Sequence, residues 1–140
     1  MLTKIRAQKS GDLYLAADSG YVQIAQEKGI AEESIPVARL WPVIVVKKGN
    51  PKKILQLSDL KRPGIRLALG HPEQCTIGIL SRRLLEDSKV YKAIQENQNI
   101  VTETASSALL IPNITTGAAD VVLAYRTDTL AEQARLDVIS

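Results

Sequence analysis

The residue types and spacings in this chain that could do chemistry fall in two stretches. From Gly64 to Ser81 the order is Gly-Ile-Arg-Leu-Ala-Leu-Gly-His-Pro-Glu-Gln-Cys-Thr-Ile-Gly-Ile-Leu-Ser. A short apolar run meets a Gly70-His71-Pro72 break and then re-enters a helical pattern through Thr76 and Gly78. Such a break aims the unpaired amides of a helix start at whatever lies beyond the strand end, which is an anion site in outline. From Val121 to Asp128 the order Val-Val-Leu-Ala-Tyr-Arg-Thr-Asp reads as a buried strand delivering Tyr125 to an edge. A third strand end, before Thr104-Ala105-Ser106-Ser107, has serines placed to start a helix. The chemistry these groups suit is the binding of a small oxyanion.

Other chemistries lack their residues. His71 is the single histidine and Cys75 the single cysteine. Two ligands on one loop do not make a structural zinc site, and no internal disulfide can form. A catalytic triad would rest on His71 alone, and there is no nucleophile elbow or phosphate-cradling glycine loop, so no enzyme and no cofactor is expected. The charge is +3, from 18 basic and 15 acidic residues, and the basic pairs Lys47-Lys48, Lys52-Lys53 and Arg82-Arg83 lie apart from one another. With four tyrosines, one tryptophan and no phenylalanine there is no basic-aromatic interleaving, which excludes a nucleic-acid surface. The longest apolar run, Leu40 to Val46, is too short to cross a bilayer and carries Pro42. Met1-Leu2-Thr3-Lys4-Ile5-Arg6 has neither the apolar segment nor the cleavage site of a signal peptide.

The elements that must position the candidate groups follow from the pattern. Asp12 to Ala17 reads as a strand, and Tyr21 to Lys28 as a helix with Tyr21, Ile24 and Ala25 inward and Gly29 at its end. Residues 39–47 read as a long strand with Pro42 at an edge or a crossing point. Strands are expected over 65–69, 99–102 and 120–125, and helices over 76–87, with Ile77, Leu80 and Leu84 inward, and over 90–96 and 106–116. Pro112 should kink the last helix or delay its start. Strands alternating with helices at these intervals predict an α/β fold with an open, mainly parallel sheet flanked by helices, whose ligands sit beyond the carboxyl ends of the strands.

The order of these pieces resembles the periplasmic molybdate-binding proteins, the solute receptors of molybdate and tungstate ABC transporters. Ser58-Asp59-Leu60, Pro63-Gly64 and the strand ending in Gly70-His71-Pro72 are similar to that family's Asp-Leu, Pro-Gly and strand-Gly-Asp-Pro run. Thr76 to Ser81 falls where the family has Pro-Ala-Gly-x-Tyr-Ala. Gly117-Ala118-Ala119-Asp120, through to Tyr125-Arg126-Thr127-Asp128, is similar to its Gly-Glu-Ala-Asp, strand, Tyr-x-Thr-Asp segment. The resemblance implies a type II periplasmic-binding fold, partial in this chain. Residues 1–38 would belong to a first lobe, 39–47 to a hinge-crossing strand, 48–128 to the second lobe and 129–140 to the start of a return toward the hinge. It implies a tetrahedral oxyanion held in an interlobe cleft by neutral donors: the amides of Ile77 and Ser107 and the hydroxyl of Tyr125, with Thr76 beside them. It also implies a membrane permease as partner and a periplasmic or extracytoplasmic location. The family's first-lobe hydroxyl donors have no counterpart in this sequence. His71, Thr76, Ile77 and Leu80 differ from the family's usual residues, so the cleft wall differs.

Plainer readings stand beside these. Thr76 and Ser107 could be simple helix N-caps, and Tyr125 a strand-end tyrosine whose hydroxyl meets water. The same bilobal fold also serves as the ligand-sensing domain of transcription regulators. Strands 12–17 and 39–47, lacking first-lobe and return-strand partners, would leave open edges through which two copies could associate.

Overall fold

The structure is a computed structural model that describes Ile5, Ala7, residues 11–16 and residues 18–139. The chain divides after Arg39 into two units.

In the first unit, helix α1 spans Ser19–Glu27. Asp18 is its N-cap, with Oδ1 accepting the Gly20 amide at 2.8 Å and the Tyr21 amide at 3.3 Å. Gly29, at φ 63°, closes it by donating to the Gln26 carbonyl at 2.9 Å. The inward face is narrower than the pattern suggests: Ala25 is buried, while Tyr21 and Ile24 are 47% and 37% exposed. The strand expected over 12–17 is not formed at residues 12–16, and Ala17 lies outside the described residues. Leu13 and Leu15 there are 90% and 71% exposed. An apolar run with no strand beside it among the described residues does not satisfy its backbone by pairing, and it is irregular.

The second unit is a five-stranded sheet in the order β3-β2-β4-β1-β5. Its strands are β1 (Pro42–Lys47), β2 (Leu67–Gly70), β3 (Ile100–Thr104), β4 (Val121–Tyr125) and β5 (Leu136–Ile139). β2 runs parallel to β3 and β4, whereas β1 runs antiparallel to both β4 and β5. Four strands therefore share one direction and β1 alone is reversed, which is the mainly parallel sheet that the alternation of elements demands. Pro42 is the first residue of β1, where a missing N–H costs no ladder bond. Because β4 and β5 pair both sides of β1, this strand leaves no open edge for self-association. β5 adds to the strands expected from the sequence.

Helices α2 (Thr76–Asp87), α3 (Tyr91–Glu96) and α4 (Leu110–Thr115) connect the strands. α2 buries Ile77, Gly78, Ser81 and Leu85, so its inward face is turned from the expected Ile77-Leu80-Leu84 line. Pro112 acts as anticipated. A 3₁₀ turn over Ser107–Leu109 precedes α4, and Pro112 occupies the third position of α4, inside the first turn where its N–H is not needed.

Alternation along the strands makes two cores. Ile44, Val46, Leu67, Leu69, Val121 and Leu123 pack with Ile54, Leu60, Leu85 and Ile94. Val45, Ala68, Val122 and Ala124 pack with Ile77, Leu110, Ile111 and Ile114. At the amino ends of β2 and β4, Arg66 grips Asp120: Nη2 donates to Oδ1 at 2.8 Å and the backbone amide to Oδ2 at 3.0 Å. Burial pushes the Asp120 carboxyl up, but hydrogen bonds from the Arg66 side chain and backbone, with the charges of Arg66 and Lys52, outweigh it and hold the carboxyl below its ordinary value.

Candidate functional site

Parallel pairing sends the carboxyl ends of β2, β3 and β4 to one edge. Gly70 of β2 is level with Thr104 of β3, and β4 ends one residue past the pair level at Tyr125, which faces Pro42 of β1. Each strand end hands over at once to a turn or helix. After β2, His71 turns the chain: its carbonyl accepts the amides of Gln74 and Cys75, each at 3.2 Å, and its own amide donates to the Thr104 carbonyl at 2.7 Å. After β3, the Ser106 carbonyl accepts the Leu109 amide at 3.2 Å and opens the 3₁₀ turn.

Two glycines allow α2 to begin so near the sheet. A Cβ on Gly70 would come within 2.8 Å of Cys75 Sγ, the Gly78 amide nitrogen and Ile77 Cγ2. A Cβ on Gly78 would overlap the carbonyls of Gly70 and His71. The helix start is thus seated on the strand end by backbone contact, and only glycine fits on both sides.

The N-cap of α2 is Cys75 and that of the 3₁₀ turn is Ser106, both extended, and neither makes a side-chain cap bond. Thr76 and Ser107 are therefore first-turn residues and not the caps. First-turn amides have no acceptor within their own helix, so the Ile77 and Ser107 N–H groups look outward from their turns. The Ile77 side chain is 1% exposed and locked in the second core, which fixes its backbone. Tyr125 is partly buried and packs against the same core, and Thr76 and Ser107 are half-buried. The structure thus brings Thr76, Ile77, Ser107 and Tyr125 to one sheet edge. The Arg66–Asp120 and Lys48–Asp137 pairs lie at the other ends of the strands. Lys48 and the Gly49 amide hold Asp137 below the usual carboxylate range.

A depression of about 580 Å³ lies elsewhere. It runs beside β3 and is lined by His71, Arg82, Tyr91, Gln95 and Glu103, but by none of the four candidate residues. Arg82 lies 5.2 Å from the Tyr91 ring centre and donates to Glu86 at 2.9 Å. This depression is an open surface hollow of mixed charge. His71 Nδ1 accepts the Glu73 amide at 3.2 Å, and Cys75 Sγ points to the His71 and Thr104 carbonyls. The pair does not converge as ligands, and among the described residues no group of three metal-ligating side chains occurs. No helix among the described residues is long and apolar enough to cross a membrane.

The sequence pattern marks Thr104 at the third strand end but not its hydrogen bonds, nor the packing role of Gly70 and Gly78. The Gly-x7-Gly spacing across a strand-to-helix break was the available signal, since close backbone approach needs a glycine on each side.

Comparison with known proteins bears on what this edge serves. The sequence model of the family described as bacterial extracellular solute-binding protein matches residues 1–140. The chain belongs to that family. It is 28% identical over 132 residues to the molybdate-binding protein ModA of Mycobacterium tuberculosis, covering 94% of this chain and 48% of ModA. This agrees with the resemblance carried by the motifs. Among solved structures, a substrate-binding domain from Clostridium difficile, assigned to a molybdenum ABC transporter, superposes with a TM-score of 0.70 at 16% identity, over 99% of this chain and 59% of that one. The sulfate-binding protein SubI of Mycobacterium tuberculosis gives 0.62 at 17% identity, over 99% and 57%. The fold is that of the type II periplasmic binding proteins. The chain spans about half the length of the curated relatives it matches.

Proposed function

We propose that this chain binds a tetrahedral oxyanion of the molybdate or tungstate kind at the carboxyl edge of the sheet, as part of the solute receptor of an ABC transporter. The observation that carries the reading is the convergence of three parallel strand ends. They offer the Ile77 amide, the Ser107 amide and the Tyr125 hydroxyl at one edge, with Thr76 adjacent and the ion pairs of the sheet kept at its far side. Oriented amides carry partial positive charge in fixed geometry, so they select an anion by size and donor count without the desolvation cost of a buried ion pair. Binding, not catalysis, is the role that these neutral groups support. The likeness to ModA, a molybdate-binding protein, and to SubI, a sulfate-binding protein, supports the ligand class.

In this reading the partner is a membrane permease and the location extracytoplasmic, as the family description supports. That description does not favour a transcription regulator. Donors from outside residues 40–140 complete the ion's shell, in the manner of an interlobe cleft, with 39–47 as the crossing strand.

Calorimetric titration of the chain with sodium molybdate and sodium sulfate tests the reading. Three donors on an open, water-exposed edge give dissociation constants on the order of millimolar. A submicromolar constant, or equal heats from chloride, would contradict it.

A further inference from the structure

Resting on the oxyanion reading above, we propose that Thr104 is a positioning residue that sets the separation of the Ile77 and Ser107 amides, and with it the size of ion accepted. Thr104 is the last residue of β3 and is 8% exposed. Its polar groups serve two different turns. The carbonyl accepts the His71 amide at 2.7 Å and lies 3.5 Å from Cys75 Sγ, so it grips the residues that open and cap the turn into α2. The hydroxyl donates to the Ser106 carbonyl at 3.0 Å, with the Leu69 carbonyl 3.5 Å away as the alternative acceptor. Ser106 immediately precedes Ser107, and its carbonyl also receives the Leu109 amide. One buried residue therefore holds the Ile77 turn through its main chain and the Ser107 turn through its side chain.

Backbone donors cannot reach or retract as a lysine does. Their spacing is set by the turns that carry them, and ions with longer bonds to oxygen need wider spacing. The Ile77 turn is already fixed by the Gly70–Gly78 contact, which leaves the Ser107 turn as the adjustable side of the pair. The Thr104 hydroxyl is what fastens that side. Ser at this position keeps the hydroxyl, whereas Val keeps the shape and loses it.

Amide solvent exchange and chemical shifts, read by NMR on the full chain, test this with Thr104→Val and Thr104→Ser. In Thr104→Val the Leu109 amide exchanges about fivefold faster, the loss expected from one hydrogen bond, while Ile79, bonded to Cys75, is unchanged. In the same variant the ratio of molybdate to sulfate affinity shifts, and the Ser107 amide responds less to either ion while Ile77 still responds. Thr104→Ser restores both behaviours. Unchanged Leu109 exchange, or a uniform acceleration at all amides, overturns the assignment whatever the ions do. If neither ion moves the Ile77 or Ser107 amide in the wild type, the oxyanion reading falls, and the exchange comparison still decides what Thr104 holds.

Discussion

Gly78 of α2 sits directly against the main chain of His71, so close that a Cβ on Gly78 would overlap the His71 carbonyl. That carbonyl is also the acceptor for the Gln74 and Cys75 amides. The contact therefore fixes three things together: the end of β2, the turn after it and the first turn of α2. Gly78→Ala cannot be absorbed by a flexible side chain, because its obstacles are backbone atoms. We expect a loss of about 1–3 kcal/mol in urea unfolding, typical of forced overpacking. A change within about 0.5 kcal/mol, the range of neutral surface substitutions, would show that the helix start shifts freely.

Asp120 links the amino ends of β2 and β4 through Arg66. Burial raises its carboxyl pKa, yet the Arg66 bonds and charge lower it further, so the folded value lies below the unfolded one. A depressed acid contributes stability that is present above the unfolded pKa and lost as pH falls through the folded one. The wild type should therefore lose urea resistance as pH drops from about 5 toward 3. Asp120→Asn should be less stable near neutrality and show a shallower fall. Parallel pH profiles for the two proteins would exclude Asp120 as a source of the acid sensitivity. Asp59, lowered first by the Leu55 amide and opposed by burial, adds to the wild-type fall in the same sense.

Ser81 is fully buried in α2, and its hydroxyl has no hydrogen-bond partner among the described residues. A buried hydroxyl without a partner carries its desolvation cost uncompensated. Ser81→Ala should leave stability unchanged or raise it by up to about 1 kcal/mol, measured by urea unfolding. A clear loss would mean that the hydroxyl is held by a water.

Much of the fold was legible because its signals are local. The α2 boundaries at Thr76 and Asp87 follow from a glycine break and apolar periodicity, and the delayed start of α4 follows from Pro112. What was not legible depends on distant partners. Residues 12–16 have a strand's composition but pair with no strand among the described residues, and β5 forms because β1 offers it an edge along Ile44 to Lys47. The inward face of α2 was misjudged because Gly78 and Ser81, which carry no apolar signal, face the sheet in place of Leu80 and Leu84. At the candidate site the strand ends, and the position of Ile77, Ser107 and Tyr125 beside them, were readable from motif order. The role of Thr104 was not, since a threonine's two hydrogen bonds to different turns leave no trace in spacing.

Tyr125 supplies the single side-chain donor of the proposed set. Tyr125→Phe removes a hydroxyl while keeping the ring that packs on the second core. We expect oxyanion affinity to fall about tenfold or more, as for loss of a hydrogen bond to a charged group. Equal calorimetric affinities for the two proteins would remove Tyr125 from the site.

The most direct test of the oxyanion edge is a titration of the isotope-labelled chain with sodium molybdate, followed amide by amide, at constant ionic strength. We expect Ile77 and Ser107 to move together along one saturable curve, with Thr76 and Tyr125 shifting beside them and the amides near Arg66 and Asp120 unmoved. Shifts centred on Arg66, or spread over the exposed lysines and arginines without saturation, would contradict it.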